Sequence, residues 1–461
     1  MTETLKRFMI TGTGSGCGKT TITCAVLKAL VNRKLKVASF KAGPDYIDPM
    51  FHSKIIGTSS RNLDIYMCGE RNVKYLFANA AKNADISVIE GVMGNYDGLG
   101  INSDDYSSNH LARLTNTPQI LVVGTKGMGF SVVAMISGFL NFRPNNIKGV
   151  ILNNTSQASY EMLKPMIEKE LPIKVYGYMP QVQEAEIGSR HLGLITADEI
   201  FDLNQRLEIL AETAEKTIDI DGLLGLAQTY EKYMCADVLL DYNLPQKPTR
   251  IAVAKDNAFC FYYEDNLNLF KIMGGEIVEF SPMNDEKLPE NIDALILGGG
   301  YPEVYAKQIS ENKSMLSDIK EKLQKGLPLI AECGGFMYLH NSLTDCDGEK
   351  HKMVGFIDSD CYMTKKSVRF GYAKLKAQYD NVLCKKGEEI SAHEFHYSDS
   401  SNCGDAFLAT KNSGKNWEAA FANDAIYAGY PHLHFWGNID FAINFYNKIL
   451  VKKAGDYKNE R

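Results

Sequence analysis

A glycine-rich turn near the N-terminus constrains the fold of this 461-residue chain more than any other segment. The turn follows an apolar strand candidate, residues 7–11, and leads into a stretch whose apolar residues recur at helical spacing. Glycines there let backbone N–H groups point at phosphate oxygens, and the start of a helix adds positive potential. The succession of strand, turn and helix therefore predicts a phosphate-binding loop in an α/β domain.

The residues expected to bind the nucleotide lie within this loop. In chain order they are Gly12, Thr13, Gly14, Gly16, Gly18, Lys19, Thr20 and Thr21. The Lys19 ammonium supplies a point charge for the phosphates, and the Thr20 hydroxyl is a candidate Mg2+ ligand. A plain glycine turn with a chance Lys-Thr pair is the alternative, which the strand and helix on either side disfavour.

The loop is one residue longer than the standard phosphate-loop spacing, because a threonine stands where the first glycine is expected and the glycine, Gly12, comes one position earlier. A longer loop of this kind resembles that of dethiobiotin synthetase and its relatives, which use ATP to activate a carboxyl group. The resemblance implies ATP as the nucleotide and favours a synthetase over a molecular switch.

Carboxylates follow two further strand candidates. Because ligands of open parallel sheets bind at the carboxyl ends of the strands, Glu90, at the end of an apolar strand, is expected to reach the Mg2+ ion. Asp45 is a second candidate Mg2+ ligand, while Asp48 and Asp97 are expected to orient an attacking carboxylate or ammonia. A solvated glutamate at a strand end, and turn aspartates that form only local hydrogen bonds, are the alternatives.

Strand and helix candidates alternate from residue 7 to about 200 and resume after residue 250. The strand candidates are residues 7–11, 36–40, 86–90, 119–123 and 149–153, and then 251–254, 275–280, 294–297 and 327–331. A long helix is expected near residues 303–325. Residues 241–249 carry two prolines and no periodicity. We therefore predict two α/β domains, residues 1–240 and 250–455, joined by this linker, the first with a doubly wound, mostly parallel sheet.

A second sharp turn, Glu332–Gly335, lies between a strand candidate and a helix candidate. This geometry lifts one side chain above a sheet and aims the following N–H groups at an oxyanion. Of ten cysteines, Cys333 alone has this setting, and a thiol at the start of a helix has its thiolate favoured. Cys333 is thus a candidate nucleophile, and Gly334 is a candidate donor to the oxyanion.

A nucleophilic cysteine needs a base from elsewhere in the sequence. The four candidates are His393, His396, His432 and His434. Any one of them alone is more often structural than catalytic. A glycine-rich segment at residues 298–303 can donate the N–H groups of Gly299 and Gly300 to an oxyanion beside the nucleophile, or can be a tight turn only.

Taken along both domains, the chain resembles the cobyrinate a,c-diamide synthase family of corrin-ring amidotransferases. The residues that carry the resemblance follow the family's order: 12–20, 41–49, 62–64, 90–98, 189–193, 256–263, 298–303, 332–335, 393–397 and 432–435. The resemblance implies that the second domain is a flavodoxin-like class I glutamine amidotransferase domain. It also implies that Cys333 is the nucleophile and that His432 assists it.

The family's reaction implies that ATP phosphorylates the a and c acetate side chains of cobyrinic acid and that ammonia from L-glutamine displaces each phosphate. Because ammonia must be used before bulk water protonates it, we expect an internal path between the two sites. In the wider class I amidotransferases a glutamate follows the histidine by two positions, but His434 stands there in this chain. We therefore predict a Cys–His dyad, with the group that assists His432 unassigned.

Composition limits the partners. A net charge of −6 gives no global attraction to nucleic acid or to an anionic membrane, so an acidic ring substrate must meet local groups. The candidates for that role are Lys41, Tyr46, Arg190 and His191. Arg369 is a further candidate, although a role in surface solubility explains this cation equally well.

The sequence contains neither an apolar run long enough to cross a bilayer nor a signal-peptide pattern, so we expect a cytoplasmic location. The sequence allows a homodimer without specifying one.

Two other interpretations share some of these motifs. The nearest keeps the chemistry and replaces the ring by nickel sirohydrochlorin, which a related family amidates. The other is a regulatory P-loop ATPase with a degenerate amidotransferase domain. It predicts loss of the nucleophile and a signature lysine early in the loop, whereas Cys333 is present and Gly14–Gly16 occupy that stretch.

Overall fold

The computed structural model of the chain describes residues 2–100, 102–185, 189–190, 193–194, 202–230 and 232–459. It divides into two compact units, Met1–Val238 and Leu239–Arg461. The division falls just before the proline-bearing residues 241–249 that we predict as a linker. Within the residues described, no helix combines the length and the hydropathy that crossing a bilayer requires.

The N-terminal unit is built on a seven-stranded sheet in which every neighbouring pair is parallel. From edge to edge its strands are Arg61–Leu63, Val37–Ala42, Ile86–Glu90, Arg7–Gly12, Gln119–Gly124, Ile147–Asn153 and Lys174–Met179. The predicted parallel α/β fold is confirmed. Because all strands run the same way, their carboxyl ends, and the loops that follow them, lie along one edge of the sheet.

Helices cover both faces of this sheet. They are Lys19–Asn32, Ile47–Ile56, Ile65–Cys68, Glu70–Ala81, Ser108–Leu114, Ser131–Asn141, Gln157–Glu170, Leu203–Thr217 and Ile220–Gln228, with a short 3-10 turn at Gln183–Ala185. In the strand Gln119–Gly124, Ile120 and Val122 pack into one hydrophobic core, while Leu121 and Val123 pack into another. A strand buried on both faces has no alternation of polar residues, which explains the continuous apolar runs in the sequence.

Two strands of the sheet have no counterpart among the strand candidates. Arg61–Leu63 is only three residues long and begins with two polar side chains. Lys174–Met179 contains Gly177 at φ 140° and shifts register beside it, so its hydrophobic pattern is interrupted. Two antiparallel ribbons, Thr2–Thr4 with Lys232–Met234 and Ser189–Arg190 with Gly193–Leu194, complete the unit.

A fully buried arginine, Arg7, ties the first strand of the sheet to the segments around it. Its guanidinium donates to the carbonyl oxygens of Leu5 at 2.8 Å, Thr115 at 3.2 Å and Asn116 at 3.1 Å. It also lies over the ring of Tyr233, 4.9 Å from the centroid. Burial lowers the pKa of Arg7 to about 10, which leaves it charged at neutral pH.

We expect Arg7→Leu to lower the free energy of unfolding of the protein by about 3 kcal/mol, because buried carbonyl oxygens would lose their donor. Urea unfolding followed by circular dichroism measures the change. Arg143→Leu is the matched control, since the Arg143 side chain is 43% exposed and pairs with Asp104 only at 3.7 Å. A loss of less than about 1 kcal/mol for Arg7→Leu would show that the hydrogen bonds of Arg7 do not stabilise the fold as we expect.

The C-terminal unit has a central sheet of six strands, of which the first five are parallel. In order they are Gly275–Phe280, Thr249–Ala254, Ala294–Leu297, Leu329–Glu332, Ile426–Gly429 and the antiparallel Phe421–Ala422. An antiparallel sheet of five strands comprises Asn416–Ala419, Phe407–Thr410, Arg369–Ala377, Glu389–His396 and His432–Leu433. A third sheet comprises Lys350–Lys352, His340–Thr344, Ile357–Met363 and Ser398–Ser400.

The helices of this unit are Glu264–Ile272, Ala306–Glu311, Lys313–Gln324, Gly334–Tyr338 and Ile439–Asn459, with 3-10 turns at Leu239–Asp241 and Phe435–Gly437. The single long helix expected near residues 303–325 is therefore two helices. Asn312 separates them, and its side chain accepts a hydrogen bond from the Met315 N–H at 3.3 Å. Asparagine favours such an N-terminal cap over a helix interior, which explains the break.

Candidate active site

The phosphate loop of the N-terminal unit is a close-packed backbone turn. Gly18 has φ 94° at the start of the helix Lys19–Asn32, a conformation that favours glycine. A Cβ on Gly18 would lie 2.0 Å from the side-chain nitrogen of Asn153, which donates to the Cys17 carbonyl oxygen at 2.8 Å. Asn153, at the end of the strand that lies two places from Arg7–Gly12 in the sheet, therefore fixes the loop from outside.

The Lys19 side chain lies over the loop. Its ammonium donates to the Gly14 carbonyl oxygen at 2.9 Å, and only 8% of the residue is exposed. A Cβ on Gly12 would lie 2.9 Å from the Lys19 side chain, so the glycine leaves room for it. This cradle of glycine backbone with a lysine amine at its centre fits the phosphates of a nucleotide.

Carboxylates converge on the threonine that follows Lys19. The Thr20 hydroxyl donates to Glu90 Oε1 at 2.8 Å and lies 3.4 Å from Asp48 Oδ1. The buried Lys41 ammonium donates to Glu90 at 2.9 Å, pairs closely with Asp48, and lies 3.8 Å from Asp45. A hydroxyl and two carboxylates, with Asp45 beside the lysine, are the hard oxygen donors that suit Mg2+.

The charges of this cluster depend on one another. Burial alone would raise the pKa of Glu90, but Lys41 and His52 outweigh it and hold that pKa well below its usual range. The His52 Nε2 lies 2.8 Å from the second Glu90 oxygen. Burial and the Glu90 charge raise the pKa of Asp48 well above its usual range. Two carboxylates that share one lysine are poorly neutralised, and a divalent cation would complete the neutralisation.

The other predicted residues of this unit have more varied surroundings. Asp97 accepts a hydrogen bond from the Gly94 N–H at 2.8 Å, in a turn that packs against Gly14. Tyr46 immediately precedes the helix Ile47–Ile56. His191 lies outside the described residues. So does the side chain of Arg190.

In the C-terminal unit, Cys333 occupies a strained turn. It has φ 48° and ψ −103°, between the strand Leu329–Glu332 and the helix Gly334–Tyr338. Its N–H donates to the Gly429 carbonyl oxygen at 2.8 Å. A non-glycine residue at positive φ persists only where its surroundings enforce it, and such strain is typical of a nucleophile held above a sheet.

His432 is the histidine that the fold brings to Cys333. Burial alone would lower its pKa, but contacts with the Cys333 thiol and with Glu332 raise the pKa of His432 to about 10. The His432 Nδ1 lies 3.4 Å from Glu332 Oε2. A Cβ on Gly299 would lie 2.6 Å from Cε1 of the ring, so the glycine-rich turn packs directly against this histidine.

The glycines predicted to form an oxyanion hole lie side by side. A Cβ on Gly334 would lie 3.1 Å from the backbone nitrogen of Gly300. Gly300 has φ 156°, and a Cβ there would collide with the Ala258 carbonyl oxygen at 2.2 Å. The two turns therefore approach each other closely enough for their N–H groups to serve one oxygen atom.

The remaining histidines have other surroundings. His434 is fully buried and stacks on Tyr263 at 4.8 Å between ring centroids, and burial lowers its pKa to about 3. His396 contacts the Glu394 carboxylate at 2.9 Å. His393 lies opposite His432 in the antiparallel sheet, and burial, with the His432 charge, lowers its pKa to about 3. Of these four histidines, His432 is therefore the one that contacts the Cys333 thiol.

The sequence predictions gave no role in these sites to three residues that contribute to them: His52, Asn153 and Glu332. Each contributes through a contact with a segment distant in the chain, and no local pattern marks that contact. Arg369, by contrast, lies 3.4 Å from Asp399 and over the ring of Trp417, so its guanidinium serves contacts within its own unit.

Comparison with known proteins covers both units. Residues 8–195 match the family model of the CobQ/CobB/MinD/ParA nucleotide-binding domain. Residues 250–439 match that of the CobB/CobQ-like glutamine amidotransferase domain. The phosphate loop lies within the first matched domain, and the Cys333 turn lies within the second.

Full-length relatives are also similar to this chain. The cobyrinate a,c-diamide synthase of Caldanaerobacter subterraneus subsp. tengcongensis is 43% identical over 93% of this chain and 95% of its own length. That of Clostridium acetobutylicum is 43% identical over 95% of this chain and 99% of its own. The cobyrinate a,c-diamide synthase of Salmonella typhimurium is 40% identical over 93% of this chain and 95% of its own length. The chain therefore belongs to the cobyrinate a,c-diamide synthase family of glutamine-dependent amidotransferases.

Proposed function

We propose that this chain uses ATP and glutamine to convert the a and c acetate carboxylates of cobyrinic acid into amides, in cobalamin biosynthesis. One observation carries the proposal: a phosphate loop and a strained cysteine with a histidine partner occur in one chain that aligns with cobyrinate a,c-diamide synthases over nearly its whole length. The two sites together indicate a combined reaction, because a glutaminase alone needs no nucleotide and an ATPase alone needs no nucleophilic thiol.

The C-terminal unit would release ammonia from glutamine. The Cys333 sulfur attacks the amide carbonyl carbon, and the N–H groups of Gly300 and Gly334 stabilise the oxygen that becomes negative. His432 gives its proton to the departing nitrogen, so that ammonia leaves and a thioester remains. Water, with its proton taken by His432, then attacks the thioester and releases glutamate and the free thiol. The raised pKa of His432 supports this role, since the proton needed by the leaving group is already on the ring.

The N-terminal unit would activate the ring carboxylate. ATP would supply the phosphoryl group of an acyl phosphate, and a bound Mg2+ ion would supply positive charge for the transfer. Lys19 and the glycine backbone hold the phosphates, and Thr20, Glu90 and Asp45 would hold the ion. Asp48 and Asp97 would orient the attacking carboxylate or ammonia. The transit of ammonia between the two sites, and homodimerisation, stay predictions.

Mass spectrometry tests the substrate assignment. We expect incubation with ATP, Mg2+, glutamine and cobyrinic acid to give two successive acid-to-amide conversions, and omission of ATP or Mg2+ to give neither. Nickel sirohydrochlorin, offered in parallel, should turn over at least about tenfold more slowly, because specificity for a ring requires transition-state contacts worth at least 1.4 kcal/mol. Faster turnover of nickel sirohydrochlorin would contradict the cobyrinic acid assignment while leaving the amidation chemistry intact.

A further inference from the structure

Glu332 lies immediately before the cysteine, at the end of the strand Leu329–Glu332, and is buried. Its two carboxylate oxygens have different partners. Oε1 accepts a hydrogen bond from the Leu433 N–H at 3.1 Å, and Oε2 lies 3.4 Å from Nδ1 of His432. One carboxylate thus contacts both the backbone beside His432 and the Nδ1 nitrogen of its ring.

The wider class I amidotransferases place a glutamate two positions after the histidine, where this chain has His434. His434 cannot take that role, because its ring stacks on Tyr263 and burial lowers its pKa to about 3, which leaves it neutral. An imidazolium on His432 without a nearby anion would carry a large desolvation cost in this buried position. The charge must be balanced from another segment.

We propose that Glu332 is the positioning residue of the glutaminase site: it holds the tautomer and orientation of His432 and stabilises its protonated form, as the third member of a Cys–His–Glu triad. The inference rests on the proposed function of Cys333 and His432. At 3.4 Å the Nδ1 to Oε2 contact is an ion pair slightly longer than a full hydrogen bond, and such catalytic contacts tighten when substrate binds.

Other titratable groups face this pair from neighbouring elements. His393 lies opposite His432 in the sheet and is neutral. Tyr262 and Tyr427 lie near Glu332, and burial raises the pKa of each hydroxyl well above its usual range. All three stay uncharged between pH 6 and 9, so they should not mask the effect of a change at Glu332 in that range.

The test compares Glu332→Gln and Glu332→Asp with the wild-type protein. Glutaminase kinetics give kcat and KM for glutamine. The rate at which iodoacetamide alkylates the peptide containing Cys333, measured by mass spectrometry from pH 5 to 10, reports the thiolate. Glu394→Gln is the matched control, because Glu394 is a buried carboxylate of the same unit that pairs with His396 at 2.9 Å.

For Glu332→Gln we expect kcat to fall on the order of 100-fold, with KM for glutamine changed by less than about threefold. The alkylation profile should move to higher pH by about one unit, because loss of the carboxylate lets the proton return from imidazole to sulfur. Glu332→Asp, which keeps a carboxylate, should recover part of the lost kcat and part of the shift in the alkylation profile. Glu394→Gln should leave the profile in place.

An alkylation profile of Glu332→Gln that coincides with that of the wild type overturns the proposal, even if activity falls, since a merely structural carboxylate would behave in this way. Failure of the proposed function is separable. If Cys333→Ala still hydrolyses glutamine, the glutaminase assignment itself is wrong. If Cys333→Ala is inactive while Glu332→Gln has wild-type kinetics and a wild-type alkylation profile, only the role proposed for Glu332 is wrong.

Discussion

Cys333→Ala should abolish glutamine-dependent amidation, with a loss of at least about 1,000-fold, while ammonium salts still support amidation. The reason is that the sulfur forms the covalent bond that breaks the glutamine amide, and no neighbouring group can replace it. Free ammonia bypasses this step, since it needs only the activated carboxylate in the N-terminal unit. Amide product formed from glutamine and from ammonium chloride, each followed by mass spectrometry, measures the two activities.

Cys346→Ala is the control for this prediction, because Cys346 is an exposed thiol of the same unit. It should keep both activities within about twofold. An alanine variant at position 333 that still used glutamine would remove the nucleophile from the mechanism. Loss of the ammonium-supported reaction in that variant would instead show that the substitution disturbs more than glutamine cleavage.

The fold class and the family could be predicted from the sequence because their signals are local. A phosphate loop needs a strand, glycines and a helix in immediate succession, and the cysteine turn needs the same. Buried parallel strands such as Ile86–Glu90 are continuous apolar runs that stand out in any sequence. Strands of the antiparallel sheet in the C-terminal unit, such as Glu389–His396, alternate buried and more exposed residues, so they form no continuous apolar run.

The arrangement of the candidate site was less predictable, since it depends on which segments meet. Glu332 appeared in the cysteine turn, but its distance from His432 follows from the pairing of two strands a hundred residues apart in the chain. Lys41 was expected to contact an acidic substrate. Lys41 is only 3% exposed, and its ammonium lies between Glu90 and Asp48, which are already its partners. Its predicted contact with the ring substrate therefore stays untested.

Lys19→Ala should remove amidation with both nitrogen sources, by about 100-fold or more, because the lysine amine supplies the charge that stabilises the phosphates during transfer. In contrast to Cys333→Ala, ammonium chloride should give no rescue, while cleavage of glutamine by the C-terminal unit should continue at a measurable rate. ATP consumption in the presence of cobyrinic acid, together with amide formation from each nitrogen source, checks the prediction.

Lys28→Ala is the matched control, because Lys28 lies on the same helix but pairs with Glu208 at the surface, at 2.7 Å with the Glu208 side chain 49% exposed. Surface ion pairs contribute at most about 1 kcal/mol, so this variant should keep its activity. The Lys19 ammonium donates to the Gly14 carbonyl oxygen, and its removal frees that oxygen without leaving a buried charge. A folded Lys19→Ala protein with wild-type ATP consumption would therefore show that the loop does not bind the transferred phosphate.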